Sequence, residues 1–134
     1  MIWSFGDKVA NKMEIGDLER LFPEDFKKRA IISGEWILPY ADALSAIEIA
    51  TAHQIAILGI DAIDILPPGK YQFYVSNYTG YDREIKFAGN WEAYVQKMNA
   101  HAQLWLKAHI LGEGHGYSIA SASEREFRKL DSGA

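Results

Sequence analysis

The spacing of apolar residues divides the chain into helical and extended segments. After Pro39, apolar residues recur every three or four positions to about Gln54, which is the pattern of a helix that buries one face. Additional apolar residues at Ala46 and Ile49 widen that face, so we expect more than one neighbouring element to cover it. The residues on this predicted face are Tyr40, Ala43, Leu44, Ile47, Ala50 and Thr51.

An antiparallel hairpin is predicted to follow this helix. The segment Ile55 to Leu66 is rich in β-branched residues and predicts a strand, in which Gly59 marks a bulge or a turn. Pro67-Pro68-Gly69 ends this strand, and polar and apolar residues alternate from Lys70 to Asn77, as in a second strand. We also expect Glu84 to Phe87 to form a third, edge strand with charged outward positions.

The last long helix is predicted from Asn90, a good N-cap residue, to about Leu111. Beyond it the composition shifts to glycine and serine, which predicts a mobile tail over 112–134, although Ser123 to Leu130 has the capping and charge features of a short helix. The broad aromatic face of the long helix consists of Trp91, Tyr94, Val95, Met98, Ala102 and Trp105.

These elements predict one α+β domain over residues 1–111, with a small antiparallel sheet packed against a central helix and a long C-terminal helix. Before the central helix, Glu14 to Ile32 is predicted to be helical in two pieces, with Pro23 in the first turn of the second. Ser33-Gly34 is predicted to separate that region from the short apolar segment Trp36 to Leu38. A chain of 134 residues with 49% apolar and 24% charged residues fits a single globular domain.

Negative charge is concentrated in one stretch, between Ala30 and Gly69. That stretch contains five acids and no Lys or Arg, whereas the rest of the chain carries +1, so the stretch accounts for the net charge of −4. An acidic balance disfavours a nucleic-acid partner, because affinity for phosphates depends largely on Lys and Arg. The five acids are Glu35, Asp42, Glu48, Asp61 and Asp64.

The composition also favours a cytoplasmic location. The chain has no cysteine, which excludes disulfides and thiolate metal sites and fits a reducing compartment. Residues 1–7 lack the basic start and apolar run of a secretory signal. The apolar stretch Ala43 to Leu66 is interrupted by Glu48, His53, Gln54, Asp61 and Asp64. We therefore expect neither export nor a membrane partner.

The residues do not assemble a recognisable catalytic or metal site. His101 and His109 are eight residues apart on one predicted helix and do not share a face, so they do not form a metal-binding pair. Asp61 and Asp64, three residues apart on a strand, should face opposite sides unless a bulge intervenes. The glycines of 112–116 follow a helix rather than a strand, unlike a phosphate-binding loop. The sequence therefore predicts no enzyme, no cofactor and no metal.

The order of the predicted elements and their short sequence motifs together resemble those of a known family. A helix beginning Asp42-Ala43-Leu44 leads to the strand opening Ile57-Leu58-Gly59-Ile60-Asp61, an aromatic hairpin strand follows over Tyr71 to Tyr78, and a closing helix begins Asn90-Trp91-Glu92-Ala93-Tyr94-Val95. Over about Trp36 to Leu106 this resembles the small bacterial immunity proteins found beside polymorphic toxin genes. The resemblance implies that the protein neutralises a cognate toxin by occlusion, which requires no catalytic residues.

A negative face would speed the capture of a basic toxin by electrostatic steering. Exposed tyrosines would supply contact area, although ordinary strand propensity explains them equally well, and the acids could be a solvated face. One alternative is a small-molecule-binding or regulatory domain with a pocket lined by Trp91, Trp105 and Tyr74, and another is a hydrolase with His101 or His109 beside Asp61. The predicted partner-binding residues are Asp42, Glu48, Asp61, Asp64, Tyr71, Tyr74 and Tyr78.

Overall fold

Four α-helices and five strands are present in the described part of the chain. A computed structural model describes residues 15–32, 36–66, 71–79, 87–112 and 114–131. The helices are α1 (Glu24–Arg29), α2 (Tyr40–Ala52), α3 (Trp91–Lys107) and α4 (Glu124–Asp131), and a 3-10 turn spans Glu19–Leu21. The strands are β1 (Ile31–Ile32), β2 (Trp36–Ile37), β3 (Ile55–Leu66), β4 (Tyr71–Thr79) and β5 (His115–Ser123). The predicted α+β class is confirmed.

Strand β3 is the centre of a three-stranded antiparallel sheet with the order β4-β3-β5. The predicted hairpin is confirmed as β3 and β4, and the predicted irregularity at Gly59 appears as a register shift between Ile57 and Gly59 in the pairing of β3 with β5. Leu38 and Tyr117 exchange two backbone hydrogen bonds of 2.8 Å, and this bridge places the β1–β2 pair beside β5.

Helix α2 buries its predicted face against the sheet. Pro39, in an extended conformation, precedes its first turn. The middle of the face is buried, with Ala43, Ala46, Ile47 and Ala50 at 0–2% exposure, whereas Tyr40, Leu44 and Thr51 are partly exposed. Together with β3, β5 and the N-terminal segment the buried residues of this face form the first core cluster. Its members are Leu18, Phe22, Phe26, Leu38, Ala43, Ala46, Ile47, Ala50, Ile55, Ile57, Ile60, Ala62, Ala102, Leu106 and Tyr117.

Helix α3 joins the two core clusters. Its N-cap, Asn90, accepts a hydrogen bond of 3.0 Å from the backbone N–H of Ala93, as predicted. The first half of the helix belongs to a second, aromatic cluster, whereas Ala102 and Leu106 in its second half belong to the first. The second cluster consists of Ala56, Leu58, Trp91, Tyr94, Val95, Met98, Ala122 and Phe127.

The prediction of a tail from residue 112 is wrong for β5 and α4. Strand β5 pairs with β3 over almost its whole length, so the domain continues well past residue 111. Gly116, one of the residues that suggested a tail, is required by packing, since a Cβ at this position would lie 2.6 Å from Cγ2 of Ile37. The predicted short helix near the end of the chain is confirmed as α4, and the long helix α3 is therefore not the last element.

Two other predictions concern the ends of elements. Ile31 and Ile32 form strand β1 rather than the end of a helix, because α1 stops at Arg29 and Ala30 is extended. The predicted edge strand over Glu84 to Phe87 falls mostly outside the described residues, and Phe87 itself packs against the aromatic cluster. Within the described ranges, no helix has the length and apolar character needed to cross a membrane.

Candidate partner-binding surface

The β3–β4 hairpin places five of the seven predicted partner-binding residues on two adjacent strands. Asp61 and Asp64 lie on β3, and the three tyrosines lie on β4. The tyrosine positions are distributed along the whole of β4. In the register of the hairpin, Tyr71 pairs with Leu66, Tyr74 with Ile63 and Tyr78 with Ile60.

Strand β4 is at the edge of the three-stranded sheet as described. An edge strand presents unpaired backbone groups, and natural proteins commonly protect such edges with charged residues or proline. The nine residues of β4, Tyr71–Thr79, include neither a charged residue nor a proline. Their composition is therefore suited to pairing with another extended segment.

Asp61 and Asp64 do not form a carboxylate pair. Asp61 pairs with Ser118 and Asp64 with His115, and the β3–β5 register between these two pairs is unbroken. Side chains three residues apart on a regular strand point to opposite faces, so the two aspartates do so here. Burial raises the pKa of Asp61. Asp64, whose side chain is 42% exposed, has Oδ1 3.8 Å from Nε2 of His115.

Asp42 has a structural role that the sequence did not reveal. It is buried on α2, and its two carboxylate oxygens accept hydrogen bonds of 2.7 and 3.0 Å from Nε and Nη2 of Arg29 on α1. This two-point contact also raises the pKa of Arg29. The pair fixes α1 against α2, so the charge of Asp42 is compensated within the fold.

Glu48 lies apart from the hairpin. It is exposed on α2 and lines a groove of about 330 Å³ between α2 and α3. The other lining residues are Ile47, Thr51, Ala52 and Gln103. The acids of the predicted charged face are therefore dispersed. Asp42 lies in the contact between α1 and α2, Glu48 lies on the surface of α2, and Asp61 and Asp64 lie on opposite faces of the sheet.

The structure does not bring together the residues of the two alternative sites, the small-molecule pocket and the hydrolase site. Trp91 belongs to the aromatic cluster and Trp105 packs against the other cluster, so they do not line one pocket of the described part. His109 stacks on Trp105 with ring centroids 4.0 Å apart, whereas Asp61 lies on β3. Within the described ranges, no group of three or more His, Cys, Asp or Glu is arranged to hold a metal ion.

Asn99 is an important polar residue that sequence reasoning missed. It is 2% exposed on α3, beside the end of β3 that β4 does not reach. Its Oδ1 accepts a hydrogen bond of 2.8 Å from the N–H of Ile57, and its Nδ2 donates bonds of 2.9 Å to the carbonyl of Ile55 and to Oγ1 of Thr51. An asparagine within an apolar helical stripe was the available signal, because a buried amide must be satisfied.

Comparisons of this chain with protein families, with curated proteins and with solved structures found no match. The resemblance to immunity proteins therefore stays a prediction from the sequence motifs.

Proposed function

We propose that this chain is an immunity protein that binds a cognate bacterial toxin domain in the cytoplasm and neutralises it by occlusion. The observation that carries the proposal is the hairpin, in which the three predicted tyrosines lie on the edge strand β4 and Asp61 and Asp64 lie on the neighbouring central strand β3. Occlusion requires a rigid surface and no reacting groups.

Strand addition is the docking mode that suits this surface. A toxin segment that pairs with β4 would gain backbone hydrogen bonds, while side chains at alternate positions would provide specificity. Tyrosine is enriched in protein interfaces because it offers a large contact area at a small cost in conformational entropy. The uncharged sequence of β4 would impose no charge repulsion on the incoming segment.

Electrostatic steering in this proposal depends on fewer charges than the sequence suggests. Asp42 is compensated by Arg29, whereas Glu48 is exposed and Asp64 is partly exposed. We expect association with a basic toxin to slow as salt is added, and Asp64→Asn to slow it further. The paired change Arg29→Gln/Asp42→Asn, which leaves the net charge unchanged, should leave the association rate of the folded protein unchanged. A rate independent of salt would contradict steering.

The test is co-expression with the toxin domain encoded next to the gene for this chain, in cells that the toxin alone kills. Wild-type protein should restore growth, and the purified pair should form a stable complex. The double variant Tyr74→Ala/Tyr78→Ala should lose rescue while its helical circular dichroism is retained. Glu92→Gln, an exposed change on α3, is the matched control and should rescue fully. Rescue by the tyrosine variant would overturn the hairpin as the docking surface, and failure of the wild-type protein would overturn the proposed function.

A further inference from the structure

Helix α4 is attached to the rest of the fold by few apolar side chains. Among residues 124–130, Phe127 alone is buried. Its ring centroid lies 5.3–5.7 Å from those of Trp91, Tyr94 and Phe87, which belong to the aromatic cluster or pack against it. A helix of eight residues is marginal in water without tertiary packing. The attachment of α4 therefore depends on one aromatic side chain and on the polar contacts at the start of the helix.

Those polar contacts join α4 to Asp17, which lies 106–109 residues earlier in the chain. Oδ1 of Asp17 accepts a hydrogen bond of 2.7 Å from Nη2 of Arg125, and Oδ2 accepts one from Oγ of Ser123. The N–H of Asp17 donates a bond of 3.0 Å to Oε2 of Glu126. We call these four residues, Asp17, Ser123, Arg125 and Glu126, the α4 latch.

The latch includes the N-terminal cap of α4. Oε1 of Glu126 accepts a hydrogen bond of 2.9 Å from the N–H of Ser123, and Oγ of Ser123 accepts one of 3.2 Å from the N–H of Glu126. This reciprocal arrangement is a capping box. Both capping residues also contact Asp17, so a change at Asp17 should weaken the start of the helix together with its attachment.

The two sides of the latch are anchored unequally. Leu18, which follows Asp17, is 0% exposed and belongs to the first core cluster. Ser123 is paired with Ile55 at the end of β5, whereas α4 beyond it buries only Phe127 among residues 124–130. If the latch breaks, α4 should therefore move about its junction with β5, while the segment that carries Asp17 stays on the core.

Like charges oppose the closed latch. A Cβ on Gly16 would lie 2.5 Å from Oε1 of Glu19 and 3.6 Å from Oε2 of Glu126, so the two carboxylates face the same glycine. Burial and the charges of Glu126 and Asp17 raise the pKa of Glu19, whereas the hydrogen bond from Ser123 holds the pKa of Asp17 below its ordinary value. The closed form thus favours the charge of Asp17 and disfavours that of Glu19.

We propose that α4 is a hinged cover over the aromatic cluster, which the α4 latch holds closed and which opens while the sheet, α2 and α3 stay folded. Elements held by few apolar contacts open at a lower free energy than the core. Opening would expose the surfaces of Trp91 and Tyr94 that Phe127 covers. The hairpin surface takes no part in this motion, so this proposal and the proposed function can fail separately.

Hydrogen exchange of the full chain, followed by mass spectrometry at neutral pH, tests the proposal. In the wild type the amides of α4 should exchange faster than those of α3. Low concentrations of urea should leave the α4 rate unchanged, because a local opening exposes little surface, and should raise the α3 rate.

Substitutions in and beside the latch should change exchange in α4 in opposite directions. Asp17→Asn should speed it by about tenfold, because the hydrogen bonds of the latch lose their charged acceptor. Glu19→Gln should slow it, because the closed form then holds one carboxylate fewer beside Glu126. Arg128→Gln is the matched charge control. It breaks an ion pair with Glu124 within α4 and should change exchange there by no more than about twofold.

Asn99→Ala distinguishes local opening from global unfolding. It removes contacts between α3 and β3 that the open form retains, so it should speed exchange in α3 and leave exchange in α4 unchanged. Equal acceleration of both helices in Asn99→Ala would show that α4 opens only by global unfolding and would overturn the proposal. An unchanged α4 rate in Asp17→Asn, or an equal acceleration in Arg128→Gln, would overturn it as well.

A thiol placed beneath α4 tests whether opening exposes the aromatic cluster. The chain has no cysteine, and Ala122 is 1% exposed in the same cluster as Phe127. In Ala122→Cys, a thiol-specific reagent should label the new side chain at a rate that Asp17→Asn raises by the same factor as exchange in α4. Labelling that stays constant while exchange in α4 rises would refute the cover, since the cluster would then remain enclosed.

Discussion

Replacing Asn99 by alanine should destabilise the protein severely without preventing it from folding. The side chain satisfies the N–H of Ile57 and the carbonyl of Ile55, which belong to residues 0% and 3% exposed. The β3 edge at these residues has no partner in β4, whose pairing begins at Gly59. Alanine would leave both backbone groups buried and unbonded.

The magnitude follows from those two groups. Each buried backbone group that loses its partner costs about 1–3 kcal/mol. The better helix propensity of alanine offsets about 0.5 kcal/mol. The expected net loss is therefore about 2–5 kcal/mol, a large part of the roughly 5–15 kcal/mol that stabilises a typical domain. For a domain of this size the melting temperature should fall by about 6–25 °C.

Urea unfolding monitored by tryptophan fluorescence measures this loss. The midpoint urea concentration should fall, whereas the dependence of the unfolding free energy on urea should not change. Asn99→Asp gives a sharper test, because an ionised carboxylate can accept from Ile57 but cannot donate to the carbonyl of Ile55. Its buried position should raise the pKa of the new carboxyl above its ordinary value. A raised pKa in the folded state makes the aspartate variant more stable at low pH, so its deficit should shrink from about pH 7 to about pH 4.5.

Asn90→Ala is the matched control, since it removes an asparagine from the same helix at an exposed cap. Loss of an N-cap costs about 1 kcal/mol. If Asn99→Ala costs no more than Asn90→Ala, or if the deficit of Asn99→Asp does not depend on pH, the account of the β3 edge is refuted.

Three other substitutions probe the packing and charge of the fold. Gly116→Ala should cost about 1–3 kcal/mol in urea unfolding, because its Cβ would meet Ile37, whereas relaxation without cost would refute the close packing of β5. Burial and the nearby charge of Glu126 raise the pKa of Glu19, so Glu19→Gln should stabilise the protein at neutral pH, and this gain should disappear as the pH falls through the pKa of Glu19. A gain that persists in acid would contradict that cause. Ser123→Ala removes the cap of α4 and should cost about 1–2 kcal/mol, measured by thermal unfolding, and a neutral result would exclude the capping box as a stabilising contact.

The sequence alone determined the elements whose signal is local. Apolar spacing defined α2 and α3, a cap residue marked the start of α3 at Asn90, and β-branched residues around Gly59 defined the irregular strand β3. These features depend on side chains a few positions apart on the same element. The composition of the charged stretch was equally readable, but the positions of its acids in space were not.

The tertiary structure decided what depends on contacts distant in sequence. Asp42 is compensated by Arg29 from another helix, and Asn99 completes the edge of β3 from 42 residues away. Strand β5 looked like a tail because its glycine and serines carry little local preference, yet the core accepts only a small residue such as Gly116 where Ile37 comes close. Local composition indicates which secondary structure a segment prefers. Which residues that segment contacts depends on the surfaces that the fold brings together.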